Sequence, residues 1–256
     1  MLIKKWENLP AEMQKEEIRP YYDILRKKNF SLFWKRVFDV SASALLLVLL
    51  SPLFLILALA VKIDSKGPVF YRQERVTQYG KRFKIHKFRS MTQGADQAGA
   101  RVTVANDSRV TKVGRFIRKC RLDEIAQLID VFTGKMTFVG TRPEVPEFVA
   151  AYTPEMTATL LLPAGVTGEA SICFKDEAEL LEHAENAGEE YVKKILPVKM
   201  RYNLEALRKF GLWREAGTLV KTVFAVLKKG GEKADVSAEE TEIEQQKGRG
   251  EDMPEE

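Results

Sequence analysis

The sequence predicts an α/β fold that is mostly α: a small domain seated on a bent, membrane-inserted helix, with amphipathic helices at the interface. Three observations carry this. A charge-free apolar run with a Ser-Pro dipeptide at its centre extends from Val40 to Val61. Two strand-like runs separated by a turn follow it, and beyond Lys112 the apolar residues recur at helical spacing.

The apolar run, VSASALLLVLLSPLFLILALAV, lies between Asp39 and Lys62. At about 1.5 Å per residue a straight helix of that length just crosses a hydrocarbon core of about 30 Å. Pro52 removes one hydrogen bond and bends the axis. The Ser51 hydroxyl is placed to bond a carbonyl freed in this way. Basic residues flank both ends: Arg26, Lys27, Lys28, Lys35 and Arg36 before it, Lys62, Lys66, Arg72 and Arg75 after it. Such flanks mark the cytoplasmic side. A re-entrant helix that dips in, bends and returns satisfies both ends at once. A spanning helix, a buried core helix and a cleaved signal peptide fit less well, the last because the run is too long.

The division that follows is residues 1–36 as surface and interfacial helices, charged and broken by Pro10 and Pro20, 37–64 as the re-entrant helix, 65–230 as the main domain and 231–256 as a disordered acidic tail. Between Glu232 and Glu256 ten acidic and three basic residues leave a net charge of −7, so residues 1–231 carry +12 within a chain of net +5. A basic body beside a membrane segment points to anionic phospholipids and phosphorylated substrates. Nucleic acid is disfavoured, there being no zinc-finger spacing. Two cysteines, Cys120 and Cys173, suit a reducing cytosol. Two histidines offer little material for a His-rich metal site or a Ser-His-Asp triad.

Along the main domain, Gly67-Pro68 opens the run VFYRQERV, a turn falls around Tyr79-Gly80, and RFKIHKFRSM completes a hairpin. Residues Thr92 to Ser108 read as a polar loop. Val113, Phe116, Ile117 and Cys120 then fall at i, i+3, i+4 and i+7, with Lys112, Arg115, Arg118 and Lys119 on the other faces. A second helix starts near Leu122, carries the stripe Ile125, Ala126, Ile129 and Phe132, and ends at Gly134. Lys135 to Val139 reads as a short strand and Leu161 to Gly168 as a turn-rich linker. Two helices follow, Tyr191 to Phe210 broken at Pro197, and Leu212 to Lys229. The stripe Leu212, Ala216, Leu219, Val220, Val223 and Leu227 suits either the membrane surface or the domain core.

The chemistry concentrates between Arg109 and Arg142, where eight basic residues (Arg109, Lys112, Arg115, Arg118, Lys119, Arg121, Lys135, Arg142) surround the adjacent Asp123-Glu124. Carboxylates in the first turn of a helix are favoured in the ionised form by its dipole, and neighbouring Arg residues depress their pKa further. An ionised carboxylate among cations suits attack on phosphorus or binding of Mg²⁺. The Arg residues suit the holding of phosphates. Capping is the ordinary alternative for an acidic pair at a helix start.

The order of motifs, an apolar segment with Ser-Pro, then SKGPVFYRQERV, KFRSM, SRVTKVGRFIRKCRLDE and GKMTFVGTRPE, resembles the bacterial sugar transferase family over roughly Phe33 to Leu227. The resemblance implies a phosphoglycosyl transferase at the cytoplasmic face of a bacterial inner membrane. It would move a sugar 1-phosphate from a UDP-sugar to a polyprenyl (undecaprenyl) phosphate with Mg²⁺ and release UMP, and 65–230 would be its catalytic domain. Asp123 matches the family's nucleophilic aspartate and Glu124 its partner, the pair also being the implied metal ligands. Arg118 and Arg142 match phosphate-binding positions, Lys87 and Arg89 sit in the KFR motif, and Ser51 and Pro52 match the helix break. There are departures: Ala126 stands where Pro follows the dyad in the family, Thr141 replaces the first Pro of its Pro-Arg-Pro, and Ala164 is extra in LPAGVTG. A nucleotide-sugar glycosyltransferase releasing UDP and a lipid-binding scaffold are the competing classes. The first lacks an Asp-x-Asp motif here, and the second leaves the Asp-Glu pair unexplained.

Overall fold

The computed structural model describes residues 3–95, 108–175, 181 and 186–227. The acidic tail and most of the Thr92–Ser108 loop lie outside the described residues. The apolar run folds as two helices, α2 (Asn29–Leu49) and α3 (Ser51–Asp64), bent by 63° at Leu50. Pro52 has no N–H to give the carbonyl of Val48, and the Ser51 hydroxyl donates to that oxygen instead at 2.8 Å. No single described helix is long and apolar enough to cross a membrane, but the bent pair together has the length and composition.

The N-terminal half of α2 is fastened to the domain by polar groups. Asp39, 1% exposed, accepts from the Thr137 hydroxyl at 2.6 Å and the Phe138 N–H at 3.2 Å. Arg36 donates to the carbonyls of Val131 and Phe132 at 2.7 and 2.9 Å, at the C-terminal end of a neighbouring helix where a cation is favoured. The far half of the pair is apolar and open: Leu45, Val48, Leu49, Leu55, Ile56, Leu59 and Ile63 are each more than half exposed.

The hairpin forms as the sequence predicts. Strands β1 (Phe70–Val76) and β2 (Arg82–Phe88) are antiparallel in the register Tyr71↔Lys87, with Tyr79 and Gly80 at positive φ in the turn. The expected linker is instead strand β4 (Ala164–Thr167), lying parallel to β3 (Met136–Val139). Local composition does not reveal a parallel partner far away in sequence. Here Gly165 is required, because a Cβ would stand 2.3 Å from the Gly140 nitrogen.

Three further expectations shift. The N-terminal segment, read as surface helices, includes α1 (Arg19–Lys27) and does form short helices. Ile3, Leu9, Met13, Ile18, Tyr21, Tyr22 and Leu25 are nevertheless buried in one cluster with Leu161, Leu207 and Phe210. Its charges occupy only the outer face. In α4 (Lys112–Lys119), Gly114 and Ile117 face inward and Phe116 is 61% exposed. The helix has rotated about Gly114, whose missing side chain lets it approach the Ser90 carbonyl. The helix expected at Leu122 opens as a 3₁₀ turn, Leu122–Gln127, and becomes α5 only at Leu128–Phe132. With three residues per turn instead of 3.6, the inward set becomes Ala126, Gln127, Leu128, Asp130 and Val131, while Phe132 is exposed.

The helix expected from Tyr191 to Phe210 with a break at Pro197 is a π-helical turn, Tyr191–Ile195, that runs directly into the helix Leu196–Arg208; Pro197 sits in the first turn of the latter and breaks nothing. The final described helix, Leu212–Leu227, docks through polar groups. Thr222 shares a 2.8 Å hydrogen bond with Thr167, Arg214 pairs with Glu169 at 3.0 Å, and Thr218 is 3% exposed. Trp213, Val220, Val223 and Phe224 point outward, more than half exposed. Of the stripe, Leu212, Ala216, Val220 and Val223 are exposed and Leu219 is half-buried, which disfavours packing of these residues in the domain core.

Candidate active site

Asp123 and Glu124 sit in the 3₁₀ turn that packs onto β2 and α4. The turn enters at Arg121, which takes the left-handed conformation with φ 55°. Beneath it, Leu57 and Val61 of α3, Phe88 of β2, Ile117 of α4 and Ala126 share one buried cluster. The dyad therefore stands on the same core as the second arm of the bent pair. Arg89 belongs to this support and not to the cluster of charges. Its guanidinium is 5% exposed and donates to the Ser65 carbonyl at 2.6 Å, the Ser65 hydroxyl at 2.9 Å and the Val61 carbonyl at 3.3 Å. It thus braces the end of α3, adding a donor to the Val61 carbonyl, which the Ser65 N–H also bonds at 3.3 Å, and holding the Ser65 cap residue.

The two carboxylates have unlike surroundings. Glu124 is clamped: Lys87 on β2 bonds it at 3.1 Å, and Arg142 grips both oxygens, its Nη1 at 3.3 Å from Oε2. Burial pushes the Glu124 carboxyl up, but Arg142 and Lys87 more than reverse this and hold it well below the usual carboxylate range. Among the described residues no side chain is hydrogen-bonded to the Asp123 carboxylate. Burial raises its pKa, with the charge of Glu124 adding, against the pull of Lys87 and Arg118. This corrects the expectation that dipole and arginines depress both groups. The cations are spent on Glu124, and Asp123 is left half-buried beside a fixed negative charge. Burial likewise lowers the Lys87 amine, Glu124 opposing.

The structure thus brings Asp123, Glu124, Lys87, Arg118 and Arg142 together and leaves Arg89, Ser51 and Pro52 apart. Among the eight basic residues of the sequence cluster, Arg121 donates to the Lys175 carbonyl and Arg109 to the Ala95 carbonyl. Sequence reasoning missed Arg75, Gln127 and Glu144. Arg75 and Lys87 were legible: hairpin alternation puts Tyr71, Gln73 and Arg75 on the face that carries Ile85 and Lys87. Glu144, 6% exposed, accepts from the Tyr191 hydroxyl at 2.5 Å, lies 3.5 Å from Lys199 and 4.0 Å from Arg75, and carries no helical or strand signal.

Among the described residues no three His, Cys, Asp or Glu side chains are grouped to hold a metal ion. Mg²⁺ is commonly held by one or two carboxylates and the substrate's own phosphates. The Asp123 carboxylate fits that donor set; Glu124 fits only by giving up Arg142 or Lys87.

Residues 30–229 match the family model described as bacterial sugar transferase. The chain is 35% identical over 200 residues to a UDP-glucose:undecaprenyl-phosphate glucose-1-phosphate transferase of Klebsiella pneumoniae, covering 77% of this chain and 40% of that protein. It is 32% identical to a UDP-N-acetylgalactosamine-undecaprenyl-phosphate N-acetylgalactosaminephosphotransferase of Aeromonas hydrophila, over 76% of this chain and 44% of the relative. A third relative, a UDP-glucose:undecaprenyl-phosphate glucose-1-phosphate transferase of Escherichia coli (strain K12), is 34% identical over 83% of this chain and 44% of its own length. The chain therefore spans less than half the length of these relatives.

Proposed function

The chain belongs to the bacterial sugar transferase family, and on that premise we propose that it moves a sugar 1-phosphate from a UDP-sugar to a polyprenyl phosphate and releases UMP. The observation that carries this is the division of labour in the dyad. Among the described residues Asp123 is a carboxylate with no side chain bonded to it, and Glu124 fixes Lys87 and Arg142 beside it.

An Asp123 oxygen attacks the β-phosphorus of the donor. A new oxygen–phosphorus bond forms, the bond to the bridging oxygen breaks, and that oxygen leaves with its electron pair on UMP. An oxygen of the lipid phosphate then attacks the same phosphorus and expels the Asp123 carboxylate, giving the sugar diphospholipid. Lys87, Arg118 and Arg142 balance the charge that gathers on the phosphoryl oxygens. Mg²⁺, held by Asp123 and the donor's phosphates, would neutralise the diphosphate. Glu124 is held ionised and so acts as a positioning residue for its two cations, not as an acid.

The lipid acceptor requires a site at the height of the bilayer surface. The basic flanks at both ends of the apolar run support the cytoplasmic face, and two features support a re-entrant placement in contact with phospholipid. The dyad's turn shares its core with α3, and the apolar far half of the bent pair stands open. Burying one such side chain is worth about 1.5–3 kcal/mol. Seven left in water would forgo about 10–20 kcal/mol, at least comparable to the whole stability of a domain.

Asp123→Asn tests the reading. We expect UMP release from a panel of UDP-sugars, assayed with polyprenyl phosphate in detergent or vesicles, to fall by more than about a thousandfold. Release at the normal rate would exclude Asp123 as nucleophile, and release of UDP instead of UMP would exclude the reaction class.

A further inference from the structure

Gln127 lies in the same 3₁₀ turn as the dyad and is 1% exposed, yet neither its Oε1 nor its Nε2 has a hydrogen-bond partner among the described residues. Folded proteins very largely satisfy buried amides, because an orphaned one forfeits its water without replacement. A fold that keeps both atoms of one amide orphaned carries a cost that packing does not explain.

The charged groups that line the site are of one sign. Gln127 lines a small pocket with Arg75, Ile85, Lys87, Arg142 and Pro143. Arg75 spends its Nη1 on the Pro143 carbonyl at 3.1 Å and its Nη2 on Gln73 at 2.6 Å, while its buried Nε is a second donor without a partner among the described residues. Lys87 and Arg142 are the two cations that clamp Glu124, so the pocket adjoins the dyad. Three cations line the pocket, and the carboxylates beside them are Glu124, clamped by Lys87 and Arg142, and Glu144, 4.0 Å from Arg75 and shared with Lys199 at 3.5 Å; the lining is net positive, and among the described residues donors of Gln127 and Arg75 are unused. That is the environment of an oxyanion.

We propose that Gln127, with Arg75, is a substrate-contacting residue. Its Nε2 and the Arg75 Nε would donate to a phosphate oxygen in this pocket, the phosphate belonging either to the nucleotide donor or to the lipid acceptor. The assignment to substrate rests on the transferase reading above. The binding of phosphate does not.

Gln127→Met keeps nearly the same volume and removes the two orphaned atoms, so a purely structural amide and a ligand-binding one respond differently. The full chain is measured by thermal shift with sodium pyrophosphate, for the donor, and with a short-chain monoalkyl phosphate, for the acceptor. KM for UDP-sugar and for polyprenyl phosphate is then read separately. The expected result is a melting temperature equal to or above that of the unaltered chain, with affinity for one probe lowered about tenfold or more and the matching KM raised. Should that variant not fold, Gln127→Glu, stabilised by the same cations, is expected to fold and to repel the anion. Unchanged affinity for both probes in either folded variant overturns the proposal, and so does the absence of binding by the unaltered chain. If the unaltered chain releases no UMP yet its pyrophosphate affinity depends on Gln127, the transferase reading fails and the phosphate site stands.

Discussion

Lys35 on α2 and Glu215 on the last described helix form a 2.7 Å ion pair, with Lys35 only 3% exposed and its ammonium also bonded to the Val139 carbonyl at 2.9 Å. The pair ties the apolar bent helices, the end of β3 and the last described helix into one unit. Burial raises the Glu215 carboxyl, Lys35 opposing. Removing one partner of a buried pair strands the other charge and costs about 3–5 kcal/mol. Lys35→Met is therefore expected to lower the melting temperature by several degrees. The double variant Lys35→Met with Glu215→Leu is expected to recover most of the loss. Equal melting temperatures for Lys35→Met and the unaltered chain would refute the coupling.

The bend at Leu50 rests on Pro52 and on the Ser51 to Val48 hydrogen bond. In a chain with Cys120 and Cys173 changed to Ser, single cysteines at Lys28 and Lys66 are expected to react with an impermeant thiol reagent from the same face of the membrane. Restoring the missing bond with Pro52→Ala is expected to straighten the pair and move residue 66 to the opposite face. Labelling from opposite faces without the Pro52 change would exclude a re-entrant helix.

The dyad makes a pH signature. Burial together with Glu124 raises the pKa of Asp123, and attack requires the ionised form. The acid limb of kcat/KM is thus expected above the ordinary aspartate value of about 3.9. Glu124→Gln removes the adjacent charge and frees Lys87 and Arg142 to act on Asp123. The limb is expected to move to lower pH while the rate falls about a hundredfold or more, because the cations lose their clamp. A pH–rate profile of both chains decides this, and an unmoved limb would sink the assignment. Glu124 also links stability to acid. Its folded pKa is depressed, so its contribution is present above about pH 4.3 and is lost as the pH falls through the folded value.

Tyr21 supplies the alkaline counterpart. Burial, with the Glu155 carboxylate that accepts its hydroxyl, raises its pKa from 10.0 to about 12. A raised folded value means that the stability is fully present below pH 10 and is lost between pH 10 and 12. Denaturation midpoints followed over that range are expected to fall less steeply for Tyr21→Phe than for the unaltered chain.

Much of the site was legible because it depends on short, local patterns. A proline in a charge-free run implies a bend whatever surrounds it, and the nearby hydroxyl at Ser51 supplies the bond that Pro52 removes. The hairpin is two alternating runs and a turn. The adjacent carboxylates among basic residues are visible in the string itself. The inward faces of α4 and α5 were not legible. Gly114's close approach and the 3₁₀ turn at Leu122–Gln127 rephase both stripes, and periodicity assumes a uniform 3.6 residues per turn.

The sequence by itself determined the bent apolar pair, the hairpin and the acidic dyad, since each follows from residue types a few positions apart. Only the tertiary structure decided that Arg89 braces the end of α3, that Glu124 takes the cations, and that, among the described residues, Asp123 has no side chain bonded to it and Gln127 is buried without a partner. Those outcomes depend on which of several nearby cations reaches a given carboxylate first and how much water each group loses. Distance and burial are set by packing between segments far apart in the chain, and no local pattern encodes them.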